Sequence, residues 1–253
     1  MPKSAKKRLD VLLVERGLVE SRARAQALVM AGKVFSGERK LEKPGTSLAE
    51  DAALDVRGQE HPWASRGGLK LEHGLKFFDI NPAGCTALDV GASTGGFTDV
   101  LLHGGAQKVY AVDVGRGQLA WKLRQDQRVI VLEKTNARYL TRELIPDVVD
   151  IVVCDASFIG LRTVLPAAMG LARIGAHLVA LIKPQFEVGK GRVGKGGVVR
   201  DPELHDEVCR DIRTWLEEQT DWKVQGITES PIKGPEGNME FLVGATRYPG
   251  IKP

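Results

Sequence analysis

From about residue 65 onward the chain alternates short apolar runs with amphipathic stretches. The runs fall at 86–91, 108–113, 129–133, 150–155 and 177–183, each bounded by turn residues and followed by helix-like sequence. Near-continuous apolar runs of this length predict strands covered on both faces, so the repeating unit reads as strand–helix–strand and the sheet as parallel. Helical spacing in "GGLKLEHGLKFFD" precedes the first run. Two further runs, 223–229 and 240–246, are separated by a short Pro/Gly loop and predict an antiparallel pair. The window 163–182, "TVLPAAMGLARIGAHLVALI", is long enough to cross a bilayer but is interrupted by Pro166, Gly170, Arg173, Gly175 and His177. It reads as a helix, a turn at Ile174–Gly175 and a buried strand. The fold class is α/β: a Rossmann-like, doubly wound, seven-stranded and mostly parallel sheet.

The first sixty residues have a different rhythm. "KRLDVLLVERG" has helical spacing and stops at Gly17, and Ser21 caps a second helix, "RARAQALVMAG", that ends at Gly32. The turn-rich "KVFSGERKLEKPGTSL" and the strand-like "AALDVRG" complete a small α+β module. The expected boundaries are a module over 1–60, a linker over 61–68 and a large domain over 69–253. In the linker, within "QEHPWASRGG", Trp63 is expected to dock one module on the other.

Charge sharpens this division. The net charge of the 253 residues is +4, yet residues 1–43 hold eleven Lys or Arg against five Asp or Glu. A basic module on a near-neutral body points to a polyanion partner. Its candidate contacts are Arg8, Arg22, Arg24, Gln26, Lys33, Arg39 and Lys40, with Arg22 and Gln26 four apart on one helical face. Three scattered cysteines suit a reduced compartment and have no zinc spacing, so no metal is expected. The start, "MPKSAKKRLD", lacks the apolar core of a signal peptide. A cytoplasmic monomer with no membrane attachment is the expectation.

The candidate chemistry begins in "ALDVGASTGGFTDVL", a strand running into a small-residue loop and then a helix. The loop, Gly91-Ala92-Ser93-Thr94-Gly95-Gly96-Phe97, departs from the dinucleotide fingerprint at Ser93 and lacks the Lys-Ser/Thr of a phosphate-binding loop. Asp113 ends the next strand, placed to accept hydrogen bonds from a ribose diol, and Asn136 follows the third strand, placed to meet an adenine edge. Glycines for close approach, an acid for ribose and an amide for a base describe a nucleoside pocket. A second glycine-rich stretch, "GKGRVGKGG" at 189–197, has Gly196 where a phosphate-binding loop needs Ser or Thr. It reads instead as a cationic loop, with Lys190, Arg192 and Lys195, that closes over a phosphate backbone.

Four more polar residues stand at strand ends or beside them. Asp155 closes "VVCD", Lys183 closes "VALIK", Lys70 lies on the helix before the first strand, and Glu240 opens the last strand in "NMEFLV". Cys154 alternates to the opposite face from Asp155 and points into the core. The segment Asp155-Ala156-Ser157-Phe158 lacks the Asp/Asn-Pro-Pro-aromatic signature of amine methylation.

Two resemblances follow from these motifs. "LDVLLVERGLVESRARAQALVMAGKV" resembles the S4 domain, an RNA-binding module, over about residues 7–57. "LDVGASTGGFT", "CDAS" and "LIKPQFE", with Lys70, Asp155, Lys183 and Glu240 in that order, resemble the FtsJ-type ribose 2′-O-methyltransferases. An S4 module ahead of that domain, joined through "SRGGLKLEHGL", is similar to the TlyA family, whose members are often labelled hemolysin A but act as ribosomal RNA methyltransferases. The resemblance implies S-adenosylmethionine as cofactor, held by residues 91–97, Asp113, Asn136 and Asp155. It implies ribosomal RNA as substrate, with a cytidine 2′-hydroxyl of large-subunit or small-subunit RNA as acceptor. Lys183, as a neutral amine, would take the hydroxyl proton; burial and the neighbouring Lys70 cation would favour that neutral form, whereas Asp155 would oppose it electrostatically while orienting the amine. Lys70 and Glu240 would position the ribose and the amine. Two alternatives stay open: a membrane-active hemolysin, and an RNA-binding protein with an inactive methyltransferase fold.

Overall fold

The structure is a computed structural model that describes residues 6–249 apart from 16–17, 20, 50–51, 53, 57–60, 220 and 235–236. The N-terminal module runs β1 (Lys6–Arg8), α1 (Leu9–Glu15), α2 (Arg22–Met30), β2 (Val34–Ser36), β3 (Arg39–Lys40), β4 (Ser47–Ala49) and β5 (Asp55–Val56). β1 pairs with β4, and β2 with both β3 and β5, all antiparallel. The apolar faces of α1 and α2 close over these short strands, with Leu9, Leu13, Ala25, Val29, Val34 and Val56 buried together. Ser21 caps α2 by accepting the Arg24 N–H at 3.2 Å, which supplies one of the donors a helix start leaves open. Gly17, the expected end of α1, lies outside the described residues.

The large domain begins with α3 (Gly67–Phe77), β6 (Thr86–Val90), α4 (Gly96–His103), β7 (Lys108–Val112), α5 (Trp121–Arg124) and β8 (Val129–Leu132). It continues through β9 (Val149–Cys154), α6 (Leu161–Leu171), β10 (Ala172–Ile182), α7 (Pro184–Glu187), α8 (Pro202–Glu218), β11 (Trp222–Glu229) and β12 (Phe241–Arg247). The seven-stranded sheet has the order β11-β12-β10-β9-β6-β7-β8. Only β12 is antiparallel to its neighbours, bonding β11 on one side and β10 on the other. Strand residues alternate between two cores, as a period of two requires. Leu88, Val152, Cys154, Leu178 and Ala180 face α6 and α8, whereas Ala87, Ile151, Val153, Val179 and Leu181 face α3 and α4.

Three local expectations are corrected. Ile174 and Gly175 do not end an element: they lie inside β10, where the register against β9 shifts between Ala172 and His177 and Gly175 takes φ +81°. A bulge absorbs the irregularity that the sequence presents as a turn. β8 is followed by a 3₁₀ turn at Ala137–Tyr139 rather than an α-helix. Trp63 is buried in the α3/α4 core, edge-on to the His103 ring and donating from its indole nitrogen to Glu72, and so packs within the large domain.

The chain order fixes where a ligand crevice opens. From β6 the chain winds outward through β7 and β8, then returns to β9 on the other side and continues to β10. The connections diverge between β6 and β9, and the crevice lies outside the carboxyl ends of those strands. Among the described residues no helix is long and apolar enough to cross a membrane.

Candidate active site

A cavity of about 250 Å³ occupies that crevice, lined by Gly91–Thr94, Gly96 and Phe97 after β6, Asp155 and Ser157 after β9, Lys183 after β10, and Ser65–Gly67 with Lys70 around the start of α3. Glycine is required at the base of the loop. Gly91 has φ +81°, and a Cβ there would sit 2.9 Å from the Ala156 backbone nitrogen and Cα. The loop therefore lies directly against the chain leaving β9, which brings Asp155 beside the cradle. Gly96 meets Ser65 and Gly68 just as closely, so the N-termini of α3 and α4 converge on one wall. Asp99 on α4 secures that wall by accepting the Ala64 N–H at 2.7 Å.

Two lysine–carboxylate pairs stand at the rim. Lys183 Nζ lies 2.6 Å from Asp155 Oδ1, and it donates to Ser157 Oγ at 2.9 Å and to the Asp155 carbonyl at 3.3 Å. The Lys183 side chain is only 7 % exposed, whereas Asp155 keeps 21 % of its surface open toward the cavity. Lys70 Nζ is 2.5 Å from Glu240 Oε2, a pair shut from solvent on both sides. Glu240 also packs against the Gly234 backbone, where a side chain would collide with it. Because Lys70 is neutralised by Glu240, it is not the free cation expected beside Lys183; the amine's immediate environment is Asp155 and Ser157.

A third acid lies beneath the loop. Asp89, inside β6, is fully buried; Thr98 Oγ1 donates to its Oδ2 at 2.6 Å and its Oδ1 has no hydrogen-bond partner. Burial pushes its carboxyl up to about 7, opposed by the Thr98 hydroxyl and reinforced by the charges of Asp155 and Asp113. Asp113 receives the Ser93 N–H at 2.8 Å and the Gly115 N–H at 2.7 Å. It thus shapes the loop, and it lies outside the cavity lining. Of these three acids only Asp155 lines the cavity, and it is paired there with Lys183.

The FtsJ-like methyltransferase family matches residues 63–247, and the S4 domain matches residues 7–52. The chain belongs to the FtsJ-like methyltransferase family. It is 51 % identical over 237 residues to the 16S/23S rRNA (cytidine-2′-O)-methyltransferase TlyA of Mycobacterium tuberculosis, covering 93 % of this chain and 88 % of that protein. It is 39 % identical to hemolysin A of Brachyspira hyodysenteriae, over 93 % of this chain and 98 % of that protein. A solved structure described as a candidate hemolysin from Streptococcus thermophilus superposes with a TM-score of 0.74 at 40 % identity, over 97 % of this chain and 90 % of that one.

Within this FtsJ-like domain the other expected site residues are distributed unevenly. Asn136 lies outside the cavity lining and caps the 3₁₀ turn by accepting the Arg138 N–H at 3.1 Å. Gly95 holds φ +95° against Leu123 and sets the entry into α4 rather than touching the cavity. In the "GKGRVGKGG" loop the chain forms two 3₁₀ turns, and Arg192 is held bidentately by Glu207 of α8 at 2.5 and 2.6 Å. Lys195 is exposed there, and the Lys190 side chain lies outside the description. Cys154 is buried in the core as its alternation requires, with burial pushing its thiol up to about 12.

Sequence reasoning assigned no role to four groups that the structure brings to the site: Asp89, Ser157, Phe158 and the Ser65–Gly67 segment. Asp89 carried a signal, since an acid between Leu88 and Val90 in a strand covered on both faces must be buried. Phe158 is 90 % exposed, has φ +64°, and leans on Phe186 with ring centroids 5.3 Å apart. Glu187 braces this loop by accepting the Leu161 N–H at 2.8 Å. Phe158 thus combines an uncommon positive φ with an open ring face, two residues beyond the Ala156 backbone that touches Gly91.

Proposed function

We propose that the chain methylates the 2′-hydroxyl of a cytidine in ribosomal RNA, with S-adenosylmethionine as methyl donor. The observation that carries this reading is the Lys183 amine, buried at the sheet rim between Asp155 and Ser157 and facing the glycine cradle. The residues present fit the donor: Gly91–Thr94, Gly96 and Phe97 line the cavity and admit a ligand against the backbone, and the Asp155 carboxylate keeps part of its surface open there. When bound there, S-adenosylmethionine supplies an electrophilic methyl group on a sulfonium.

The chain's own residues perform the rest. A ribose hydroxyl is a poor acid, so its proton must leave as its oxygen attacks. Lys183 Nζ is the acceptor we assign to that proton, a role it fills once its own proton has left the pair with Asp155. Asp155 and Ser157 fix the direction of the amine, and Asp155 stabilises the ammonium that forms. The Lys70–Glu240 pair braces the adjoining wall, since neither charge is free to reach solvent. Phe158 offers an open aromatic face beside the mouth, on which the base of a splayed-out nucleotide stacks. The N-terminal module supplies cations for folded RNA.

Mass spectrometry of ribosomal RNA from cells with and without the protein tests the substrate: a cytidine 2′-O-methyl group disappears with the protein. Lys183→Ala is expected to lower kcat by roughly 10²–10⁴-fold, the worth of one positioned proton acceptor, and to leave cofactor Kd within a few fold. Unchanged rRNA methylation in the deletion strain, or full activity in the variant, overturns the reading.

A further inference from the structure

We infer that Asp10, buried beneath the N-terminal module's surface, is a positioning residue for RNA: it holds Arg8, Arg22 and Gln26 as one rigid, phosphate-facing fork. This rests on the proposed rRNA methyltransferase reading and names the element that docks the substrate. Asp10 has no exposed surface, yet it lies two residues beyond the end of β1, in the first turn of α1. Its Oδ1 accepts Arg8 Nε at 2.9 Å, and its Oδ2 accepts Arg8 Nη2, Arg22 Nη2 and Gln26 Nε2, each at 3.0 Å. The Arg8 guanidinium beside it, helped by Gln26 and Arg22, holds the Asp10 carboxyl well below the usual carboxylate range.

The geometry exceeds what stability alone asks for. One buried anion gathers two cations whose side chains stay 54 % and 57 % exposed, so the cluster carries a net positive charge directed outward. Arg8 spends two of its five N–H groups on Asp10 and Arg22 spends one; among the described residues the remaining donors meet no other acceptor. Arg22 and Arg24 also occupy the first turn of α2, where no acid stands and where the helix dipole disfavours cations. A buried ion cluster is weak evidence of stabilisation, because an apolar replacement of similar volume is often as stable. What the cluster supplies is restraint: three long, flexible side chains from two elements share one anchor. Fixing them in advance removes rotamer entropy that RNA binding would otherwise cost. Planar guanidinium forks set side by side match the bidentate geometry of phosphate.

The test uses the full chain, with ribosomal RNA extracted from cells lacking the protein as substrate. Asp10→Asn keeps the volume but turns one acceptor into a donor facing other donors, which releases the fork. The expected result is a rise in KM for RNA of roughly 10–100-fold, with kcat at saturating RNA and cofactor Kd unchanged. The slope of log KM against log salt falls by about 1–2, the loss of one or two phosphate contacts at about 0.9 each. A wild-type KM and salt slope in this variant overturn the inference. If amide exchange shows that the substitution unfolds α1 and α2, Arg22→Gln carries the test, because it leaves Arg8 on Asp10; its slope is expected to fall by about 1, and an unchanged slope overturns the inference. Should the wild-type chain methylate no ribosomal RNA, the function proposed above fails. Direct binding of the same RNA by wild type and Asp10→Asn, read as a salt slope, then decides the inference separately.

Discussion

The N-terminal module and the sheet rim are built from the same ingredients, lysine or arginine against carboxylate, with opposite burial. Around Asp10 the anion is sealed and the cations reach into water; at the rim the Lys183 and Lys70 side chains are nearly sealed and Asp155 is the more open member of its pair. The difference decides what the charges can do. An exposed guanidinium keeps its charge and its long-range attraction for a polyanion, at the cost of screening by salt. A desolvated amine beside a carboxylate has little long-range pull and instead holds a defined position and proton. On the function proposed above, the first region docks RNA and the second reacts with it.

The largest expected effect comes from opening the sealed pair. Glu240→Gln leaves the Lys70 ammonium buried without its counter-charge, and the large domain should lose about 3–5 kcal/mol in urea unfolding followed by its tryptophan signal. Loss of less than about 1 kcal/mol would show that the rim pair is as solvated as the Asp10 cluster, and the contrast would vanish.

pH separates the two regions next, because their acids shift in opposite senses. Asp10 is depressed in the fold, so its contribution is present above the unfolded value near ~4 and is lost as pH falls below it. Asp89 is raised to about 7, so the folded state holds its proton longer than the unfolded chain does. Stability of the large domain therefore declines as pH rises from about 4 to about 7 and levels off above, by about 4 kcal/mol if the full shift is realised. Asp89→Asn should abolish that decline, measured as Tm against pH without cofactor. A wild-type profile that is flat across this window would show that Asp89 ionises in the fold as readily as in the unfolded chain, against the effect of its burial.

The smallest effect sharpens how the reactive region holds RNA. Phe158→Ala removes a stacking face worth about 1–3 kcal/mol, so KM for RNA should rise roughly 5–100-fold. Because no charge is lost, the salt slope should match wild type, unlike that of the Arg22 variant. A slope change in Phe158→Ala would mean that the two regions do not divide docking from stacking.

Much of this was legible along the chain, because local patterns carry local structure. Apolar runs over 86–91, 108–113, 129–133, 150–155 and 177–183 lie within one or two residues of β6–β9 and β10 apart from the latter's earlier start, since a strand buried on both faces has little freedom of composition. Gly91, Asp155 and Lys183 stood out because each closes or follows such a strand, where an open α/β sheet presents its ligand crevice. The start of β10 and the turn after β8 were misread, since a bulge and a loop both show as interrupted hydrophobicity.

What the sequence alone determined is the set of elements, their order and the charges at their ends, all of which follow from periodicity and spacing within a few tens of residues. Only the tertiary structure decided the partnerships. Lys70 pairs with Glu240 across 170 positions of chain, and Lys183 with Asp155 rather than with an open site. Arg22 and Gln26 share the buried Asp10, and Phe158 is left uncovered. The reason is physical: whether a charge is solvated, paired or strained depends on what packing brings within a few ångströms, and chain separation does not record that distance.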